Sequence, residues 1–274
     1  MPELPEVETI CRYLCQGGKD YPAVLGMVIS AVEGSWDRSI AAPKVEDFKQ
    51  EIAGQRIDRV SRRGKFIHLV LSGGSLIIHL RMSGDLAVVE KYEDPGRFAR
   101  VVFDFTDDWR LVFSDSRKFG RVWLVEDPEV LFRDLGPEPL GDEFTFQVFS
   151  NRLSRYRRQI KPLLLDQSFI AGIGNIYADE ALYMAKIHPN TRSDQLGEEQ
   201  KQSLYVGIRE VLSDGIDNSG ASIDWVYRGG DFQNYFRVYQ RTGDPCQRCG
   251  SPIVRILVGQ RGTHICPQCQ VLAV

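Results

Sequence analysis

The sequence predicts an α+β protein of two domains, the first mainly strand and the second mainly helix. Three observations carry this. Apolar residues recur at helical spacing in the first sixteen positions, at a period of two from about Val24 to Glu126, and at helical spacing again after residue 144. A Pro- and Gly-rich, acidic stretch, DLGPEPLGDE (134–143), separates the two regimes. The end of the chain then gathers four of its six cysteines.

The first helix is expected over 5–16. Val7, Ile10, Cys11, Leu14 and Cys15 fall on one face, so both cysteines read as small core residues. Pro5 suits a first helical turn, and Glu3, Glu6 and Glu8 suit the positive end of the helix dipole. VSRRGKFIHLVLS, SLIIHLRMSGDLAVVE, ARVVFDFTDD and WRLVFSDSRKFGRVWLVE read as strands with turns at SGG and TDD. Strands at that spacing suggest an antiparallel sandwich or barrel. His68 and His79 lie in apolar runs and read as structural. Beyond the 134–143 linker, helices are expected over 145–160, 162–168, 175–185 and 197–214, the last with a core stripe of Leu204, Ile208, Val211 and Leu212.

The composition is that of a globular chain: 274 residues, 43% hydrophobic and 26% charged. It starts without a basic segment followed by an apolar run, and no stretch reaches the roughly 20 apolar residues of a membrane span. A cytoplasmic location is expected. The net charge of −3 hides an asymmetry, −6 over residues 1–143 and +3 over 144–274. The last 39 residues hold five arginines and one acid. Such local patches bear on phosphate binding more than the total does.

The tail, CQRCGSPIVRILVGQRGTHICPQC, contains two Cys-x-x-Cys pairs, Cys246 with Cys249 and Cys266 with Cys269. The spacing is that of a four-thiolate zinc ribbon. With every coordination position filled by protein, the zinc has a structural role. Arg261 sits near the middle of the hairpin it staples, well placed to reach a phosphate.

Four other stretches suit nucleic acid. AGIGNIY (171–177) places glycines just before a helix start, which lets a phosphate approach free N–H groups. It lacks the third glycine and the preceding strand of a dinucleotide loop. SRRGKF (61–66), HLRMSG (79–84) and SDSRKFG (114–120) place cations beside an aromatic or a methionine at turns. That combination suits backbone neutralisation plus a wedge between bases.

In order along the chain, MPELPEVETI, RRGKF, HLRMSG, DSRKFG, LGPEPL, IKPLLLDQSFIAGIGNIYADEAL and GQRGTHICPQCQ together resemble the formamidopyrimidine-DNA glycosylase family of bacterial base-excision repair. The resemblance runs nearly end to end. The related endonuclease VIII family typically begins Pro-Glu-Gly-Pro, whereas position 4 here is Leu.

The resemblance implies an N-terminal helix and catalytic β-sandwich (1–133), the linker (134–143), a helix–two-turn–helix domain (144–235) and a zinc-finger hairpin (236–274). It implies that Met1 is removed and that Pro2 is the catalytic nucleophile. A terminal amine titrates near pH 8 and is substantially unprotonated at neutral pH. It gives Glu3 a general acid/base role, Glu6 the ordering of the terminus or a proton relay, and Lys65 the phosphate beside the lesion. Met82, Arg117 and Phe119 would fill the hole left by an extruded base. Lys161, Asn175 and Arg261 would contact DNA. The partner would be double-stranded DNA with an oxidised base or abasic site, bound by a monomer. Segment 220–236 would cap the everted base, the backbone N–H groups of 220–224 meeting it. That segment is a few residues short of familiar members, and Ser83 and Asp85 stand where those often carry Glu and Arg. The alternatives are an endonuclease VIII-like enzyme for oxidised pyrimidines and a non-catalytic zinc-ribbon DNA-binding protein.

Overall fold

Helix α1 (Leu4–Gln16) forms where the apolar stripe lies, burying Val7, Ile10, Cys11 and Leu14. Each such side chain contributes on the order of 1.5–3 kcal/mol. The Cys11 and Cys15 thiols donate to the carbonyls of Ser61 and Val60, at 3.3 and 3.6 Å. Burial holds the Cys11 thiol pKa far above its ordinary value, so this sulfur is inert packing. The computed structural model describes residues 1–222 and 229–272. They divide into two units, 1–133 with 221–230, and 134–220 with 231–274.

The first unit contains two sheets. Its strands are β1 (Ile29–Gly34), β2 (Ile40–Ala42), β3 (Ile57–Arg63), β4 (Phe66–Leu71), β5 (Gly74–His79), β6 (Gly84–Glu90), β7 (Ala99–Phe105), β8 (Trp109–Asp115) and β9 (Arg121–Val125). One sheet runs β1-β7-β8-β6 and the other β2-β9-β5-β4-β3. The ladders are antiparallel except at one edge, where the three-residue β2 lies parallel to β9. A helix that the period-two reading passed over, α2 (Val45–Ile52), sits between β2 and β3. Its buried Phe48 and Ile52 are one helical turn apart. A one-turn helix, α3 (Glu129–Phe132), follows β9.

The topology places two turns side by side. The chain crosses between sheets from β5 to β6, and again from β8 to β9. His79 of β5 is paired with Arg121 of β9, and Gly84 of β6 with Asp115 of β8. The connecting turns 80–83 and 116–120 are therefore neighbours. Gly84 has to be glycine, since a Cβ there would run into the Leu80 carbonyl.

The second unit is helical. It comprises α4 (Phe146–Leu153), α5 (Ile160–Leu164), α6 (Asn175–Met184), α7 (Glu198–Asp217) and a hairpin of β10 (Val254–Val258) and β11 (Arg261–Ile265). Thr145 caps α4 by accepting the Val148 N–H at 3.3 Å. The helix expected over 145–160 stops at Leu153, although Phe149, Leu153, Tyr156 and Ile160 keep helical spacing. Tertiary hydrogen bonds take the backbone instead. Ser193 N–H donates to Arg158 C=O at 2.8 Å, and the Ser193 hydroxyl to Tyr156 C=O at 2.7 Å. The Pro/Gly-rich stretch expected as a linker is bonded into this unit, with Gly136 N–H on Gln167 C=O at 2.8 Å and Ala171 N–H on Pro137 C=O at 3.1 Å. Helix α6 is buried on nearly all sides. No helix among the described residues is long and apolar enough to cross a membrane.

Candidate functional site

Glu3 is the N-cap of α1 and Glu6 its third residue, a reciprocal capping box. Glu3 N–H donates to Glu6 Oε2 at 2.7 Å. The other oxygen, Glu6 Oε1, accepts the Ala221 N–H at 2.7 Å. Glu6 thus ties the chain start to the segment that begins at Ala221. Pro2, Glu3 and Glu6 are all buried, whereas Met1 is exposed. The N-terminus of this chain is held, and the held residues are a proline and two carboxylates. Residues 223–228 of the expected capping segment lie outside the described residues. Of the N–H groups expected to meet a base, Gly220 donates to Gly215 C=O at 2.7 Å and Ala221 to Glu6, so both are already committed.

Lys65 follows Gly64 in the tight turn from β3 to β4 and is buried. Arg62 folds over this turn, its guanidinium on Glu8 at 3.1 Å and on Gly64 C=O at 3.0 Å. His79 Nδ1 accepts the Arg81 N–H at 3.0 Å, and His79 packs edge-on to Phe66. Burial, then the charges of Arg81 and Lys65, lower its pKa to about 3. His68 shares a 2.9 Å hydrogen bond with the Ser75 hydroxyl. Both histidines are structural, as read from the sequence.

The neighbouring turns carry the three residues expected to act as a wedge. Phe119 is 49% exposed, with the Arg117 guanidinium 5.2 Å from its ring centre. Met82 is half-buried on the adjacent turn. The three side chains belong to one edge of the first unit. They combine a cation, an aromatic ring and a flexible apolar chain.

In the second unit, Asn175 begins α6, and its Nδ2 donates to Gly262 C=O at 3.1 Å. Arg261 opens β11 beside Gly262, at the exposed tip of the hairpin. Gly259 and Gln260 have φ of +53° and +61°, the two positive values that a two-residue hairpin turn needs. The structure thus brings Asn175 and Arg261 together.

Lys161 departs from its expected role. It has 0% side-chain exposure and forms a 2.6 Å ion pair with Asp179 of α6. Its ammonium also donates to Thr263 Oγ1 at 2.7 Å and Gly262 C=O at 3.2 Å. Asp179 in turn accepts the His264 N–H at 2.9 Å. A direct DNA contact would require Lys161 to abandon these partners. It is a strut under the hairpin rather than an exposed contact. Next to Asp179, Glu180 accepts the N–H groups of Val238 and Tyr239 at 2.9 and 2.8 Å. Desolvation raises its pKa against those hydrogen bonds. Sequence reasoning passed over both acids, although two carboxylates inside the apolar NIYADEAL were a signal of buried partners.

The sulfurs of Cys246, Cys249, Cys266 and Cys269 lie within 4.8 Å of one another. Cys249–Cys266 is 3.4 Å and Cys246–Cys269 is 3.9 Å. A tetrahedron with about 2.3 Å zinc–sulfur bonds has edges of about 3.8 Å. A disulfide would need about 2 Å. The Arg248 and Cys269 N–H groups each point at a sulfur from 3.4 Å, which suits thiolates. The four cysteines therefore fit one structural zinc ion, with no position left for water.

Residues 1–122 match the formamidopyrimidine-DNA glycosylase N-terminal domain, residues 135–226 its H2TH domain, and residues 243–271 the zinc finger found in FPG and IleRS. A formamidopyrimidine-DNA glycosylase of Chloroflexus aggregans is 46% identical over 280 residues, covering 99% of each chain. The Lactococcus lactis formamidopyrimidine-DNA glycosylase, solved non-covalently bound to DNA containing an abasic site, superposes with a TM-score of 0.90 at 37% identity, covering 98% of this chain and 100% of that one. MutM in complex with DNA containing carbocyclic 8-oxo-G gives 0.91 at 36% identity, over 99% and 100%.

Proposed function

The chain belongs to the formamidopyrimidine-DNA glycosylase family, whose members are DNA glycosylases with abasic-site lyase activity, and we propose that it excises oxidised purines from double-stranded DNA through Pro2. The observation that carries this reading is the buried start of α1, where Pro2 stands beside Glu3 and Glu6; removal of Met1 would make Pro2 the terminus.

The chemistry follows from the residue types. The Pro2 amine attacks C1′ and the bond to the damaged base breaks, the base leaving with the bonding electrons and taking up the proton that the amine gives up. Glu3 protonates the sugar ring oxygen as the ring opens. The product is an iminium on a secondary amine, which has no N–H proton to lose and stays cationic. That cation acidifies C2′, so loss of a C2′ proton expels the 3′ phosphate, and a second elimination expels the 5′ phosphate. A one-nucleoside gap remains. Glu6 keeps the terminus in place, as its two hydrogen bonds allow. Lys65 meets the phosphate beside the lesion.

Met82, Arg117 and Phe119 enter the duplex where the nucleotide leaves. Extrusion costs a few kcal/mol, and filling the gap offsets part of that. Asn175, at the positive start of α6, and Arg261, on the zinc hairpin, bind flanking phosphates. Lys161 supports that hairpin from below. The protein acts as a monomer.

Substrate class is tested by comparing duplexes carrying 8-oxoguanine opposite cytosine with thymine glycol opposite adenine. Faster excision of 8-oxoguanine, with both strand ends phosphorylated, supports the proposal. Preference for thymine glycol would move the protein to the oxidised-pyrimidine reading.

A further inference from the structure

One buried carboxylate lies beneath both wedge turns. Asp115 ends β8 with 0% exposure. Its Oδ1 accepts the Ser83 hydroxyl, and also the Arg117 N–H at 3.1 Å. Its Oδ2 accepts the Gly120 N–H at 2.7 Å. The Ser83 oxygen itself accepts the Arg117 N–H at 3.1 Å. Asp115 is fixed through its backbone too, its N–H on Phe98 C=O at 2.9 Å and its C=O under Arg100 Nε at 2.7 Å.

These bonds brace turns that each contain a non-glycine residue in the left-handed region. Arg81, next to Met82, has φ +56°, and Lys118, next to Phe119, has φ +62°. A non-glycine residue in that region carries a steric penalty. A hydroxyl donates and accepts at once, so Ser83 links the two turns in a way an apolar residue could not.

We propose that Ser83 and Asp115 are a positioning pair that locks the turn bearing Met82 to the turn bearing Arg117 and Phe119, so that the three side chains enter DNA as one preassembled wedge. This rests on the reading of those three as the groups that fill the vacated space. Preassembly lowers the ordering cost of insertion and so speeds extrusion, while leaving the groups at the start of α1 untouched. Neither residue touches the reacting atoms.

The distinction between extrusion and chemistry supplies the test. Full-length, zinc-loaded protein is assayed on two duplexes, one with 8-oxoguanine opposite cytosine and one with a preformed abasic site, which has no base to extrude. A 2-aminopurine beside the lesion reports unstacking by stopped-flow fluorescence. Ser83→Ala should slow unstacking and lesion excision about 10-fold, within the range that small misplacements produce. It should change abasic-site cleavage less than about 2-fold. Asp115→Asn turns an acceptor into an N–H donor facing N–H or O–H donors, and should cost more. Adding Ser83→Ala to it should cost little further, because the two share a contact. Equal losses on both duplexes, unchanged unstacking in Ser83→Ala, or additive losses in the double variant would overturn the pair. If Asp115→Asn does not fold, the Ser83→Ala comparison decides alone. Unsubstituted protein inactive on both duplexes would sink the enzyme reading, and the pair with it.

Discussion

Arg117 and Arg261 both stand on exposed turns, yet different physics holds each of them. The Arg117 turn is organised by hydrogen bonds to one buried carboxylate, Asp115, and is tied through Ser83 to the turn of a second sheet crossover. The Arg261 hairpin is stapled by four thiolates at one end and propped at the other by Lys161, whose ammonium meets Gly262 C=O and Thr263. Hydrogen-bond scaffolds weaken in steps as partners are removed. A metal-held scaffold fails all at once, because the binding free energy of a structural zinc is on the order of 10–16 kcal/mol and is also folding free energy. The two turns should therefore fail differently.

The largest effect should come from the metal. Stripping zinc with a chelator, or substituting Cys266→Ser, should weaken DNA binding more than about 100-fold, since the hairpin and the residues it orders are lost together. Metal analysis and binding measured on the same sample check this. Metal-free protein that still binds normally would remove Arg261 from the interface.

Next is the strut. Lys161→Met leaves Asp179 buried with its ion-pair partner gone, which should cost about 3–5 kcal/mol in denaturant unfolding. A loss below about 1 kcal/mol would mean that the pair does not support the hairpin.

The first unit carries a pH response of its own. His79 has its pKa lowered to about 3 by burial and by Arg81 and Lys65. The unfolded chain binds this proton below about pH 6.5 and the folded chain does not, so stability falls as pH drops from 6.5 towards 3. At pH 5 the loss is about 2 kcal/mol. His79→Gln keeps an acceptor for the Arg81 N–H and should flatten that slope. An unchanged slope would show that other groups dominate.

The smallest effect separates the arginines themselves. Arg261→Ala should weaken binding to lesion and undamaged DNA alike and reduce the salt dependence by about one counterion. Arg117→Ala should leave that slope nearly unchanged and reduce lesion excision instead. Identical behaviour of the two variants would dissolve the contrast.

What the sequence could disclose depended on how near in the chain the partners lie. The cysteine pairs and the α1 stripe are local patterns and were legible. Helix α2 was not, because eight residues inside a long period-two stretch offer only one full turn of buried spacing. Lys161 carries no mark of burial in its own neighbourhood, for its partner Thr263 is 102 positions away. Ser83 and Asp115 are 32 positions apart, and Glu6 meets Ala221 across 215. The resemblance supplied the roles at the chain start, where the residues alone suggested only helix-dipole charges.

The most direct test of the whole account is to incubate protein whose terminus is confirmed as Pro2 with 8-oxoguanine duplex and sodium borohydride, then map any adduct by mass spectrometry. The expected result is a covalent adduct on the Pro2 nitrogen, with both adduct and strand cleavage lost in protein that retains Met1, where that nitrogen is a non-nucleophilic amide. An adduct on any lysine, or strand cleavage by protein that retains Met1, would contradict it.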